Sequence, residues 1–195
     1  MSEHAGLALF DLDGTLVDSA PDIADAVDIA LGACGRAPLG EATVRGLIGN
    51  GAVRLMHRAL TGTRDGDAEP ALHARAYQHF VDAYQPRVFS RTRVFPGVEH
   101  VLTRLAAAGW ALGCVTNKPA RFTTPLLAAA GLTQRFAVTL SGDSLPTKKP
   151  DPAPLLHAAE TLGVPLARVV MVGDSVTDLR AAQNAGVRAI CVSFG

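Results

Sequence analysis

The sequence predicts an α/β protein with a doubly wound, mostly parallel, Rossmann-like sheet and a helical cap inserted after the first strand. Residues 94–195 alternate short apolar runs with helical patterns, which is typical of a parallel sheet covered by helices. The stretch from 15 to about 92 shows helical patterns only, and the early apolar run at 7–10 needs strand partners from the later half. The predicted domains are 1–15 with 93–195 as the α/β core, and 16–92 as the helical cap.

The first strand is predicted at Leu7–Phe10, because this run is apolar without alternation, as in a strand buried on both faces. Asp11 and Asp13 follow directly, at the strand end where a parallel sheet binds its ligands. Gly14 lets the backbone turn sharply and come close to a bound group. Alone, this pattern fits an acidic strand end as well as it fits a site.

The cap is predicted to begin with a helix that Pro21 opens and that ends near Gly32–Gly35. Further helices are predicted at about 41–47, 53–60 and 71–84, with a polar loop at 61–70. No strand is predicted in this part. Its helices carry three cations that could contact a substrate carboxylate, although solvated helix faces explain such cations more often: Arg45, Arg54 and Arg58.

After the cap, apolar runs and helical patterns follow each other regularly. Strands are predicted at 111–115, 137–140, 169–172 and 188–192, and helices at 96–108, 122–130, 152–162 and 177–185. Polar residues come directly after two of these strands: Thr116 and Asn117, then Asp174 with Asp178. Either Lys148 or Lys149, just before a helix, could reach the same edge. Because the carboxyl ends of parallel strands share one edge, these side chains are expected to meet in one crevice.

Four carboxylates brought to one crevice repel each other unless cations compensate them. One lysine is not enough, and Mg²⁺ is a cation that prefers carboxylate, carbonyl and water oxygens. Such a site suits a phosphate ester, whose oxygens the cations neutralise while Thr116 and backbone N–H groups donate hydrogen bonds. A carboxylate next to the phosphorus can then attack it and form an aspartyl phosphate.

These residues form four motifs in order, and with them the chain resembles the haloacid dehalogenase superfamily of phosphotransferases over essentially its whole length. The motifs are Asp11-Leu-Asp13-Gly-Thr-Leu-Val-Asp18, Val115-Thr-Asn117, Lys149 within Lys-Lys-Pro-Asp-Pro, and Gly173-Asp174-Ser-Val-Thr-Asp178. Within the superfamily the local sequence is most similar to the phosphoglycolate phosphatases. The similar stretches are Asp18-Ser-Ala-Pro-Asp22, Leu47-Ile-Gly-Asn-Gly51 and Lys149-Pro-Asp-Pro-Ala-Pro-Leu155.

The resemblance implies a role for each motif residue. Asp11 would be the nucleophile and a metal ligand. Asp13 would protonate the leaving alkoxide and then activate water, and its backbone carbonyl would bind Mg²⁺. The other implied roles are substrate binding for Thr116, Asn117 and Gly14, neutralisation of the nucleophile and the phosphate for Lys149, metal binding for Asp174, and support beside the metal for Asp178. An acid at Asp13 favours phosphoryl over carbon–halogen chemistry, because a halide leaves without a proton.

The expected function is a Mg²⁺-dependent phosphatase acting on a small phosphomonoester, with 2-phosphoglycolate the best single candidate. One alternative is a phosphosugar mutase of the β-phosphoglucomutase type; another is a phosphatase for a different sugar phosphate, a nucleotide or pyrophosphate. A signalling receiver would also carry an aspartyl phosphate, but it should hold the phosphoryl group for a long time. A non-catalytic metabolite binder would not need an acid beside a nucleophile.

Composition sets limits on partners and location. The 195 residues have zero formal net charge, which gives no electrostatic footprint for nucleic acid. No apolar run is long enough for a membrane span, and the N-terminus lacks the pattern of a signal peptide. Cys34, Cys114 and Cys191 are expected to be reduced core thiols. We therefore expect a cytoplasmic monomer or homodimer whose partner is a small phosphate ester, not a nucleic acid or a membrane.

Overall fold

A computed structural model describes residues 4–195; the first three residues of the predicted segment 1–15 lie outside the described part. The chain forms two compact units, one from residues 4–18 and 94–195 and one from Ser19–Arg93. We call them the sheet unit and the helical unit. The predicted domain limits stay a prediction, because compact packing alone does not test which part folds or acts by itself.

The sheet unit contains seven strands and four α-helices among its described residues, besides two three-residue 3-10 helices. The strands are β1 (Gly6–Phe10), β2 (Val17–Asp18), β3 (Arg93–Val94, whose first residue belongs to the helical unit), β4 (Trp110–Val115), β5 (Val138–Leu140), β6 (Val169–Gly173) and β7 (Arg188–Cys191). The helices are α5 (Val98–Ala107), α6 (Ala120–Ala129), α7 (Ala153–Thr161) and α8 (Val176–Ala185). The first four helices of the chain belong to the helical unit.

Five strands form a parallel sheet in the order β5-β4-β1-β6-β7, so the first strand lies at its centre. Phe10 pairs with Cys114 of β4 and with Val172 of β6, which brings the carboxyl ends of these three strands level. The apolar run of β1 is buried throughout, as expected for a central strand between two helix layers. The predicted fold class is confirmed.

The core beneath the sheet is built from strand residues and the inner faces of α7 and α8. Leu7, Leu9 and Met171 contribute from the strands, and Leu155 and Ala181 from the helices. This packing fixes the strands rigidly, which a site assembled from several strand ends requires.

The helical unit contains α1 (Ala20–Ala33), α2 (Glu41–Arg45), α3 (Ala52–Thr61) and α4 (Pro70–Tyr84). Helix α1 packs against α4, and both bury the apolar faces that their periodicity predicts. Asp22, buried on α1, accepts hydrogen bonds from the Arg91 and Thr92 N–H groups and from the Thr92 hydroxyl, at 2.7–3.0 Å. This carboxylate therefore holds the returning chain to the first helix of the unit.

Two predictions about local structure were wrong. A two-residue strand, β2, occurs where no strand was predicted, and it pairs with β3. The cysteines are free, but Cys114 alone of the three is buried; Cys34 is partly exposed at the end of α1 and Cys191 is exposed on β7. Strand β7 lies at the sheet edge and all four of its residues are exposed, so apolar neighbours in sequence did not imply burial.

Candidate active site

The loop after β1 brings two carboxylates to the centre of the sheet edge. Asp11 is buried and its N–H donates to the Val172 carbonyl at 2.9 Å, which ties it to β6. The chain then turns tightly, with the Gly14 N–H donating to the Val17 carbonyl at 2.9 Å. Gly14 has φ of 84°, and a Cβ there would overlap the Asp174 carboxylate. Glycine is therefore required at this position by both backbone conformation and space.

Lys149 lies at the centre of the carboxylates. Its Nζ lies 3.0 Å from Asp11 Oδ1 and donates at 2.6 Å to both Asp178 Oδ1 and the Val115 carbonyl. The Asn117 side-chain N–H donates to the Lys149 carbonyl at 2.9 Å and so positions the lysine backbone. The structure thus brings Lys149, rather than the exposed Lys148, to the site.

Asp174 and Asp178 come from the end of β6 and the start of α8. The Thr15 hydroxyl donates to Asp174 Oδ1 at 2.8 Å. Asp178 Oδ2 accepts from the Ser175 N–H at 3.1 Å and from its hydroxyl at 2.6 Å, while the Asp178 N–H donates back to Ser175. This capping box begins α8 and turns the other oxygen of Asp178 toward Lys149.

The charges of the site are out of balance without a further cation. Burial raises the pKa of Asp11 to about 7; the Lys149 charge opposes this shift, and the neighbouring carboxylates reinforce it. Burial also raises the pKa of Asp174. Although burial alone would lower the pKa of Lys149, Asp11 and Asp178 raise it to about 12. The charged forms of Asp11 and Asp174 are therefore destabilised, while the lysine is held as a cation.

The carboxylate cluster offers ligands for such a cation. Within residues 4–195, Asp11, Asp174 and Asp178 form a group of potential metal ligands, each offering an oxygen within 4.8 Å of the others. All three donors are carboxylates, the ligand type that Mg²⁺ prefers. The residues present therefore fit a hard divalent cation.

Thr116 and Asn117 lie at the end of β4, as predicted, and both are buried. The next residue, Lys118, was not predicted as part of the site. Its Nζ donates to both oxygens of Asp13, at 2.9 and 3.2 Å. The sequence signal was its place directly after Asn117, at the strand end that already carried two predicted site residues.

The three cap arginines are engaged inside the helical unit. Arg45 pairs with Glu41 at 3.0 Å and Arg54 with Asp67 at 2.6 Å. Arg58 is buried and donates to the Leu47 and Arg64 carbonyls at 2.9 Å. These contacts give the three arginines a structural role within the helical unit.

Comparison with known proteins identifies the fold and the chemistry class. The family model for haloacid dehalogenase-like hydrolases matches residues 6–186. A phosphoglycolate phosphatase of Nitrosococcus oceani is 42% identical over all of this chain and 87% of its own length. One of Psychrobacter arcticus is 46% identical over 97% of this chain and 84% of its own length. The crystal structure of a predicted phosphoglycolate phosphatase from Haemophilus somnus 129PT superposes with a TM-score of 0.91 at 34% identity, covering 97% of this chain and 86% of that one.

The fold is α/β, and carboxylates and a lysine meet at one edge of its sheet. Together with the family match and the relatives, this defines the protein as a hydrolase. The chain belongs to the haloacid dehalogenase-like hydrolases. The resemblance inferred from the four motifs and the prediction of an enzyme are thereby confirmed. Among the described residues, no helix is both long and apolar enough to cross a membrane.

Proposed function

We propose that this hydrolase is a Mg²⁺-dependent phosphatase that converts 2-phosphoglycolate to glycolate and phosphate through an aspartyl phosphate on Asp11. The observation that carries the proposal is the position of Asp11: buried, 3.0 Å from the Lys149 ammonium, and clustered with Asp174 and Asp178. The shared names of the curated relatives support both the phosphomonoester class and the particular substrate.

In the first step an Asp11 carboxylate oxygen forms a bond to phosphorus as the bond from phosphorus to the ester oxygen breaks. Asp13 gives its proton to the departing alkoxide, which leaves as an alcohol. In the second step Asp13 takes a proton from water as the water oxygen bonds to phosphorus. The acyl phosphate bond then breaks, which releases phosphate and restores the Asp11 carboxylate. Each proton that Asp13 gives is thus recovered.

The other residues act by charge and position. Lys149 neutralises the nucleophile and the phosphoryl oxygens, and Asp178 orients it. The phosphoryl group is bound by the Thr116 hydroxyl, the Asn117 backbone and the turn at Gly14. Mg²⁺, held by Asp11, Asp174 and the Asp13 carbonyl, would supply charge neutralisation for the phosphoryl oxygens.

Asp11→Asn tests the nucleophile. We expect purified wild-type protein to release phosphate from 2-phosphoglycolate when Mg²⁺ is present and to stop when the metal is chelated. Asp11→Asn should abolish release, whereas Asp82→Asn, an exposed residue of α4, should retain it. Substantial turnover by Asp11→Asn would overturn the nucleophile assignment.

The alternatives give different products in the same experiment. A mutase would isomerise a sugar phosphate without releasing free phosphate, and a receiver would retain its phosphoryl group. Parallel assays with sugar phosphates, nucleotides and pyrophosphate would show whether another ester is preferred.

We also propose a cytoplasmic location, which the three free cysteines support. We further propose that the protein is a monomer or a homodimer, and sedimentation analysis can decide between the two.

A further inference from the structure

Lys118 is a buried cation fixed beside Asp13. Its side chain is 4% exposed, and its Nζ contacts both Asp13 carboxylate oxygens. Its backbone is held on both sides: the N–H donates to Thr116 Oγ1 at 3.1 Å, and the carbonyl accepts from Gly142 N at 2.9 Å and Thr123 Oγ1 at 3.1 Å. The ammonium is thus presented from a rigid strand end rather than from a mobile surface chain.

The position of this ammonium matters because of the role proposed for Asp13. A carboxyl group that protonates the leaving oxygen lies at hydrogen-bond distance from it, about 2.7 Å. Lys118 Nζ, 2.9 Å from the same carboxyl group, therefore lies within reach of atoms close to the ester oxygen. In a phosphate ester of a 2-hydroxy acid, the carboxylate carbon is only two bonds from that oxygen.

We propose that Lys118 is a specificity-determining residue that binds a carboxylate on the leaving group, so that the preferred substrates are phosphate esters of short 2-hydroxycarboxylic acids. The inference rests on the proposed function, because it uses the role of Asp13 to locate the leaving group. It adds a recognition residue that neither the four motifs nor the carboxylate cluster contains.

Charge gives an independent reason for such a residue. The site gathers Asp11, Asp13, Asp174 and Asp178, and a substrate carboxylate would be repelled from them unless a cation faced it. Lys149 shows that one buried ammonium in this site can contact two carboxylates at once, those of Asp11 and Asp178. Lys118 already contacts Asp13, and it is a second cation that the described structure brings to this edge of the sheet. A charged hydrogen bond at a buried position is also stronger than one in water.

The test compares two esters that differ only in the recognised group: 2-phosphoglycolate and ethyl phosphate, in which a methyl group replaces the carboxylate. Lys118→Met removes the charge at similar length. We expect it to lower kcat/KM for 2-phosphoglycolate about ten- to a hundredfold more than for ethyl phosphate, mainly through KM, as for a lost charged hydrogen bond. Lys118→Arg keeps the charge and should retain most of the preference.

Equal losses on both esters would overturn the inference and make Lys118 a residue that merely positions Asp13. If wild-type protein releases phosphate from neither ester, the proposed function itself fails, which is a distinct result. Thermal unfolding checks that the variants fold, and Lys118→Gln is a second uncharged variant. Wild-type protein gives a further reading without any variant: glycolate should inhibit hydrolysis of ethyl phosphate more strongly than glycolamide. Equal inhibition by the two would contradict the proposal.

Discussion

Lys149 and Asp178 form a buried ion pair, with Nζ 2.6 Å from Oδ1 and both side chains almost fully enclosed. The second oxygen of Asp178 is held by the hydroxyl and N–H of Ser175. The carboxylate therefore cannot rotate without breaking the capping box at the start of α8. The direction of the Lys149 side chain toward Asp11 is therefore set by the N-terminus of α8, the helix that follows β6.

Asp178→Asn should impair catalysis by loosening Lys149. The substitution removes one of the two carboxylates that raise the pKa of Lys149, and it weakens the hydrogen bond that directs Nζ toward Asp11. We expect kcat for phosphate release to fall about 10- to 100-fold, as for other residues that orient a catalytic group. Asp151→Asn, which changes the acceptor of the Ala153 N–H at the start of α7, is the matched control. An unchanged kcat would mean that the Val115 carbonyl and Asp11 suffice to orient Lys149.

Mg²⁺ affinity should depend on pH through Asp11. A metal binds the ionised carboxylate, and the pKa of Asp11 in the metal-free protein is raised to about 7. Below that value protons compete with the metal, so the apparent affinity should fall about tenfold for each pH unit. Titration calorimetry at about pH 6 and about pH 8 measures the difference, whereas Asp11→Asn should bind weakly at both values. Equal wild-type affinities at the two pH values would contradict the raised pKa.

The free energy of unfolding of the metal-free protein should also depend on pH through Asp11, but in the opposite direction, falling as pH rises. The folded pKa of Asp11 lies above its ordinary value of 3.8, so the folded state binds this proton more tightly than the unfolded state. The contribution of Asp11 to stability is therefore fully present below about pH 4 and is lost as pH rises toward 7. Denaturant unfolding in a chelator, with Asp11→Asn as the reference, measures this contribution. A difference between the two proteins that does not change with pH would be evidence against it.

The sequence could predict which residues lie at strand ends, because apolar runs mark the strands. The carboxyl ends of parallel strands share one edge of the sheet, so their meeting could also be predicted. The apolar run before Asp11 and the alternation of strands and helices were sufficient to bring Asp11, Thr116 and Asp174 to one edge. The contacts of Lys118 with Asp13 and of Thr15 with Asp174 were not predicted, because they depend on side-chain directions from different loops. The exposure of Cys191 depends on strand order, which no local pattern contains.

In the helical unit, Asp22→Ala should destabilise the fold without touching the proposed chemistry. It leaves the buried Thr92 N–H and hydroxyl, and the Arg91 N–H, without their acceptor. We expect a loss of about 2–3 kcal/mol in the free energy of unfolding, the usual cost of stranded buried polar groups. Asp22→Asn keeps one acceptor oxygen and should lose less. Equal stability of Asp22→Ala and wild type in denaturant unfolding would disprove this role.

Gly14→Ala should separate backbone strain from crowding at the metal site. At φ of 84° any side chain is strained, and here the added Cβ would also overlap the Asp174 carboxylate. Gly131→Ala is the matched control in the same unit, because Gly131 has φ of 70° with no atom within 4 Å of an added Cβ. Each substitution should cost about 1–2 kcal/mol of stability through the backbone alone. Only Gly14→Ala should also weaken Mg²⁺ binding and phosphate release, because Asp174 must move away from Thr15. Normal Mg²⁺ binding by a folded Gly14→Ala variant would show that Asp174 is not needed at this position.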